Sequence, residues 1–270
     1  MKPRTIYIIV EGPHDSSIVG KIVRKNGLRF TPISLRNQVD TYWDNLIPKS
    51  FPQENDFGEP EFGRVRVPDF LKSSDQSLAV QTAGGITKLA PLLKDDLELF
   101  GEKRPDAIGI VFDADARDAA TAFAALKREI VELGINMQLP NMAGDILDGP
   151  PRVGVFVFPN NSRSGTLEDT MLECASKSYP QLLPVAIAAI DTVSKALSAD
   201  PNWLSSPEHD DFNKPAGPNK ARVSIIGSVM KPTYAIGNSY RQQRWITEDT
   251  LKLPLLGQLS SFLSNLIGER

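Results

Sequence analysis

Four short runs of apolar and β-branched residues punctuate the chain up to residue 177: Thr5–Val10, Ser77–Gln81, Ala107–Phe112 and Val153–Phe158. Each is followed by a stretch with helical spacing, at Ser16–Lys25, Thr87–Phe100, Asp118–Leu133 and Thr166–Lys177. Gly12-Pro13, Gly84-Gly85 and Gly134 punctuate these segments. Strands exposed on one face alternate polar and apolar residues; unbroken apolar runs suit strands covered on both faces. Their alternation with helices predicts an α/β fold, with a mostly parallel central sheet flanked by helices.

Two stretches break this rhythm. Residues 37–74 are rich in Pro, Gly and aromatics (Trp43, Phe51, Phe57, Phe62, Phe70) without a period, and read as a loop-rich insertion that packs through its rings. Residues 200–218 hold four prolines and the run Glu208-His209-Asp210-Asp211, ahead of a C-terminal helical portion ending in Leu255–Ile267. The expected organisation is an α/β domain over 1–199 that includes the insertion 37–74. Residues 200–270 then form a Pro-rich connection and a basic helical portion packed on the same domain. Internal repeats and low-complexity tracts are absent.

Composition narrows the chemistry. The 270 residues are 41% hydrophobic and 23% charged, ordinary for a folded chain. The single cysteine, Cys174, excludes an intramolecular disulfide framework and a multi-thiolate zinc site, and two histidines exclude a three-histidine metal centre. No apolar run approaches the roughly 18 residues of a membrane helix, and Ile6–Val10 is too short for a signal-peptide core. The expectation is a cytoplasmic protein with no membrane partner. Charge is uneven: Lys214, Lys220, Arg222, Lys231, Arg241 and Arg244 form a segment without acids. With the chain at −3, this segment carries +6 and leaves −9 to the rest. It reads either as a solvated surface or as a face for a polyanion such as nucleic acid.

Acids stand where ligands bind in parallel sheets, beyond the carboxyl ends of strands. Glu11 follows the first run, with Asp15 four residues on; Asp113 and Asp115 follow Ala107–Phe112. Glu168 and Asp169 open the helix after Val153–Phe158 and its loop. Clustered carboxylates repel one another unless a cation lies between them, and oxygen-only donors suit a hard ion, Mg²⁺ or Mn²⁺. Asp113 and Asp115 alternate, so on an extended chain they face the same side. Structural roles compete at each position: Glu11 satisfying a turn, Asp115 capping the helix near Arg117, Asp15, Glu168 and Asp169 decorating helix starts. His14 reads as exposed and incidental, Cys174 as a core residue. Gly84-Gly85 is a turn before it is a phosphate contact, since no Walker sequence accompanies it.

Val10-Glu11-Gly12-Pro13-His14-Asp15 together with Phe112-Asp113-Ala114-Asp115 resembles the Toprim domain of primases, topoisomerases and OLD-type nucleases. Gly165-Thr166-Leu167-Glu168-Asp169 and Asn219-Lys220-Ala221 further resemble a prokaryotic group of stand-alone Toprim-like proteins without assigned function. The resemblance spans the chain from Ile6 to the C-terminal helix. It implies Glu11 as a metal ligand and general base, Asp113 and Asp115 as Mg²⁺ (or Mn²⁺) ligands, Glu168 as a further ligand and Lys220 as a catalytic cation. Asp15 and Asp169 are possible additional ligands. Arg117 stands where topoisomerases and primases often carry a third acid, and the chain has no room for a separate tyrosine-bearing cleavage domain. The activity implied is metal-dependent phosphodiester cleavage of nucleic acid; the alternative is a non-catalytic nucleotide- or nucleic-acid-binding module within a larger assembly, as an oligomer or a partner subunit. Gly109–Asp115 also resembles the nucleophile strand of haloacid dehalogenase-type phosphatases, but that family places the motif near the N-terminus and follows it with Thr or Val where this chain has Arg117.

Overall fold

In the computed structural model, all residues are described except 1, 26, 50–52, 55–58, 62–66 and 269–270. The strands in chain order are β1 (Arg4–Val10), β2 (Thr31–Pro32), β3 (Gln53–Glu54), β4 (Pro60–Glu61) and β5 (Asp69–Lys72). They continue with β6 (Gln76–Thr82), β7 (Ala107–Asp113), β8 (Ile146–Leu147) and β9 (Arg152–Phe158). Seven of them form one sheet in the order β2-β5-β6-β1-β7-β9-β8, and β3 pairs with β4. The four apolar runs are its parallel centre, β6-β1-β7-β9. The short outer strands β2, β5 and β8 run antiparallel, so the sheet is mixed at its edges.

Ten helices connect and cover it: α1 (Pro13–Lys25), α2 (Leu89–Phe100), α3 (Ala119–Glu132), α4 (Leu167–Ser178) and α5 (Leu182–Leu197) come first among the described residues. The chain then folds into α6 (Pro201–Leu204), α7 (Pro207–Asn213), α8 (Gly217–Met230), α9 (Ile236–Gln242) and α10 (Pro254–Ile267). Successive side chains of β1 point to opposite faces. Ile6, Ile8 and Val10 enter an apolar layer shared with α1, α4, α8, α9 and α10. Tyr7 and Ile9 enter a second layer with α2, α3 and Trp43. Both faces are therefore covered, which is why the strands read as continuous apolar runs.

The irregular stretches are more ordered than the sequence predicts. Within 37–74, residues 41–46 form a 3₁₀ turn and Asp69–Lys72 a sheet strand. Trp43 is buried there, its indole N–H donating to Ser77 Oγ at 2.7 Å, and Phe70 is buried on β5; Phe51, Phe57 and Phe62 lie outside the described residues. The Pro-rich 200–218 region is not an extended connection. Asp200 and Ser206 cap α6 and α7, each with Pro at a first helical position, where its missing N–H leaves no bond unmade. Val223, Ile226, Tyr240 and Trp245 from the basic portion join the same layer as Ile6 and Ile8. No helix among the described residues is long and apolar enough to cross a membrane.

Candidate acidic site at the carboxyl edge of the sheet

β1 and β7 end side by side, with Val10 opposite Val111, so the residues that follow them emerge at one edge. The backbone N–H of Asp113 donates to Glu11 Oε2 at 3.2 Å. The Glu11 carbonyl accepts the N–H groups of Gly84 and Gly85, at 2.7 and 3.0 Å. Those two glycines adopt φ of 87° and 132°, a region that excludes most side chains, so the turn after β6 clamps the Glu11 backbone. Their N–H groups are thereby engaged by protein, which removes them as a phosphate contact.

Asp15 is buried and accepts the N–H of Gly12 at 2.6 Å. It thus does what a helix-start acid does and still belongs to the acid group: burial, then the charge of Glu11, pushes its carboxyl well above the usual range. Asp113 Oδ1 accepts the first N–H of α4, from Leu167, at 2.9 Å. Burial, followed by the charges of Asp15, Glu11 and Glu168, drives Asp113 well above its ordinary value. Glu11 and Glu168 are raised chiefly by burial too, and the nearby Lys220 charge counteracts this in both.

Asp115 corrects the expectation of simple strand alternation. β7 ends at Asp113, and Asp115 adopts φ 56°, in the left-handed region. Reciprocal backbone bonds with Gly165, at 3.0 and 2.8 Å, hold it against the loop before α4. Its charge nevertheless acts on Glu11. Asp169 departs further from a ligand role: its Oδ2 accepts the Thr166 N–H at 2.8 Å and its Oδ1 the Asn219 amide at 3.3 Å. It is committed to the start of α4 and to joining α4 to α8.

Glu168 is 2% exposed, and its Oε2 has no hydrogen-bond partner. A buried carboxylate oxygen left unpaired is costly, on the order of 1–3 kcal/mol or more. The buried Tyr240 hydroxyl is likewise unpartnered, and Tyr240 is pushed well above its usual pKa by burial and then by Glu168 and Asp15. Tyr240 also meets the His14 ring edge-on at 5.8 Å. His14 is therefore half-buried beside the acids, not exposed and incidental, and burial followed by the Lys220 charge lowers its pKa. Sequence reasoning missed Tyr240, which reaches the site only through the packing of α9 on α1. Lys220 is exposed on α8 and contributes a positive charge felt by Glu11, Asp15, Glu168 and His14. Cys174 is a buried core residue, its thiol pushed up by burial to about 12.

Among the described residues, no group of three or more His, Cys, Asp or Glu side chains is placed to hold a metal ion. The donor set still fits a hard cation in kind, through oxygen-only ligands, mutual repulsion and the unpartnered Glu168 oxygen. The basic segment is not one free surface: Lys214, Arg222 and Arg241 pair with Asp211, Asp191 and Asp69.

The profile of a family described as "Protein of unknown function (DUF3226)" matches residues 5–267. The crystal structure of hypothetical protein PH0156 from Pyrococcus horikoshii OT3 shares the fold, with a TM-score of 0.51 at 18% identity over 98% of this chain and 100% of that one. No curated protein gives a significant match.

Proposed function

The chain belongs to that family, and we propose that it is a Toprim-like, Mg²⁺- or Mn²⁺-dependent phosphodiester hydrolase acting on nucleic acid. One observation carries the reading: Glu11, Asp113 and Glu168 follow three separate strands and are brought to one sheet edge, where Asp113 bonds Glu11 through its N–H and the start of α4 through its carboxylate, and a buried Glu168 oxygen is left unpartnered. A divalent ion held by Glu11, Asp113, Asp115 and Glu168 would supply the charge that stabilises a pentacoordinate phosphorus transition state. Glu11, raised by burial, is suited to take a proton from the attacking water. Water adds to phosphorus, its proton passes to the Glu11 carboxylate, and the P–O ester bond breaks. The departing oxygen leaves as an alkoxide and takes its proton from solvent. Lys220 sets its charge against the developing negative charge. Asp113 and Asp15 do not relay protons here; their backbone bonds to Leu167 and Gly12 fix the walls of the site.

The test is incubation of purified protein with plasmid, single-stranded DNA and RNA in Mg²⁺ or Mn²⁺, beside Asp113→Ala. Cleavage by the wild type alone supports the reading. Cleavage by both proteins, or by neither, overturns it. Binding without cleavage selects the second reading, a nucleic-acid-binding module. The commitment of Glu11 and Asp113 carboxylates to backbone N–H groups favours that second reading.

A further inference from the structure

A cavity of about 260 Å³ lies between α1, the segment Pro32–Ser34, β5 and α9. Adjacent residues of α9 link it to the acid group. Tyr240 faces His14 and the acids, and Arg241 lines the cavity. The lining carries three cations, Lys21, Arg24 and Arg241, against one carboxylate, Asp69. Arg241 donates from Nε to Ser17 Oγ at 3.0 Å and pairs through Nη2 with Asp69, which also accepts from Ser16 Oγ. The Lys21 ammonium donates to the Arg241 carbonyl at 2.7 Å. Burial, then the neighbouring charges of Arg24 and Lys25, lowers the Lys21 pKa. Pro32, Ile33, Phe70 and Leu71 supply an apolar wall.

The α1 face toward this cavity is built to leave space. Ser16, Gly20 and Arg24 recur four residues apart on one helix face, with Ser17 and Lys21 beside them. A Cβ at Gly20 would meet no atom within 4 Å. Glycine in the body of a helix is disfavoured by about 1 kcal/mol relative to alanine, so no packing constraint accounts for it here.

We infer that this cavity is a subsite for one phosphate-bearing nucleotide unit, with the phosphate on Lys21, Arg24 and Arg241 and the sugar or base against the apolar wall. The choice of ligand rests on the hydrolase reading above. The volume suits a phosphate with its sugar and excludes paired duplex. Arg and Lys donors around a small opening match phosphate chemistry, and the net positive lining selects an anion.

Affinity is measured by fluorescence anisotropy with a short labelled single-stranded oligonucleotide in EDTA, and cleavage separately in Mg²⁺ or Mn²⁺. The variants are Gly20→Leu, which fills the cavity while raising helix propensity, and Arg24→Glu; thermal melting checks that each is folded. Both variants should weaken metal-free binding about ten- to a hundredfold, the range for loss of a charge-assisted contact. The probes are the oligonucleotide with a 5′-phosphate, the same strand with a 5′-hydroxyl, and a mononucleotide as competitor. Preference for the 5′-phosphate identifies a terminal group, equal binding an internal phosphodiester, and full competition by the mononucleotide a free nucleotide. Unchanged affinity in both folded variants overturns the subsite, even if Asp113→Ala abolishes cleavage and so sustains the hydrolase. Weakened binding in both, with no cleavage by the wild type in either metal, keeps the subsite and removes the hydrolase.

Discussion

Asp113 donates its backbone N–H to the carboxylate of Glu11 at 3.2 Å, across the ends of two parallel strands in register. Two residues 102 positions apart thus meet because each follows an apolar run that the sheet aligns. Their side chains, with Asp15 and Glu168, repel one another. A bound cation should relieve that repulsion and stabilise only the folded state. At a hundredfold excess over its dissociation constant, Mg²⁺ or Mn²⁺ should add about 2.7 kcal/mol. Asp113→Ala should lose most of the metal-induced rise in melting temperature while melting higher than wild type in EDTA. Scanning fluorimetry checks both; an equal metal shift in the variant places the ion elsewhere.

A second carboxylate is strained on the opposite face of the sheet. Asp96 of α2 is buried and accepts the Tyr7 hydroxyl, and burial raises its pKa to about 6. In the unfolded chain an aspartate titrates near about 3.9. Between those values the folded state keeps a proton that the unfolded state has released, so stability falls as pH rises through the window and stays reduced above it. About two pKa units correspond to a penalty on the order of 3 kcal/mol at neutral pH. Asp96→Asn should reduce the stability difference between pH 4.5 and 7.5 by about 2 kcal/mol, since pH 4.5 already lies inside the window, while its amide oxygen still accepts from Tyr7. The raised acids of the site supply the remaining slope, with the same sign. Urea unfolding at the two pH values measures it; an unchanged slope in Asp96→Asn rejects the buried-charge penalty.

The parts of this protein that were legible in its sequence share a physical cause. The parallel strands could be read because burial on both faces leaves no polar alternation, and Glu11 and Asp113 because they interrupt such runs. β2 and β8 could not, since two-residue edge strands carry no period. α5 was missed because its apolar residues do not mark a buried face: only Ala186 and Ile190 are buried, and Val185 and Val193 are exposed. His14 and Tyr240 were opaque for a different reason. Their place beside the acids depends on α9 crossing α1, a contact between residues 226 positions apart in the numbering of His14 and Tyr240. Asp115 was misassigned because its left-handed φ is not encoded by residue type in the way a glycine's is.

Gly109 and Gly154 stand opposite each other on β7 and β9, and α10 packs directly over the pair. A Cβ on Gly109 would lie 2.6 Å from Leu266 Cδ2, and one on Gly154 2.9 Å from Phe262 Cε2. Alanine at either position should destabilise by about 1–3 kcal/mol, the range for overpacking a close-packed core. Combining Gly154→Ala with Phe262→Leu should cost less than the sum of the separate changes, because the smaller side chain makes room. Denaturant unfolding of the four proteins in that cycle is the check, and strict additivity would mean that the two side chains do not collide.

Lys220 provides the sharpest separation of roles. Its ammonium is exposed on α8, and its charge lowers the pKa values of Glu11, Asp15 and Glu168 against the burial that raises them. In the hydrolase reading it acts on transition-state charge, so Lys220→Ala should reduce turnover by about 10²–10³-fold with only a small change in substrate affinity. Lys220→Arg, which keeps the charge, should recover part of the rate. Removing the cation should also let the Glu11 pKa rise further, moving the ascending limb of the pH–rate profile to higher pH. A surface residue would do neither. Equal, small losses of rate and affinity in Lys220→Ala, with an unmoved pH profile, would assign Lys220 to the solvated surface of α8 and leave the acids without a catalytic cation.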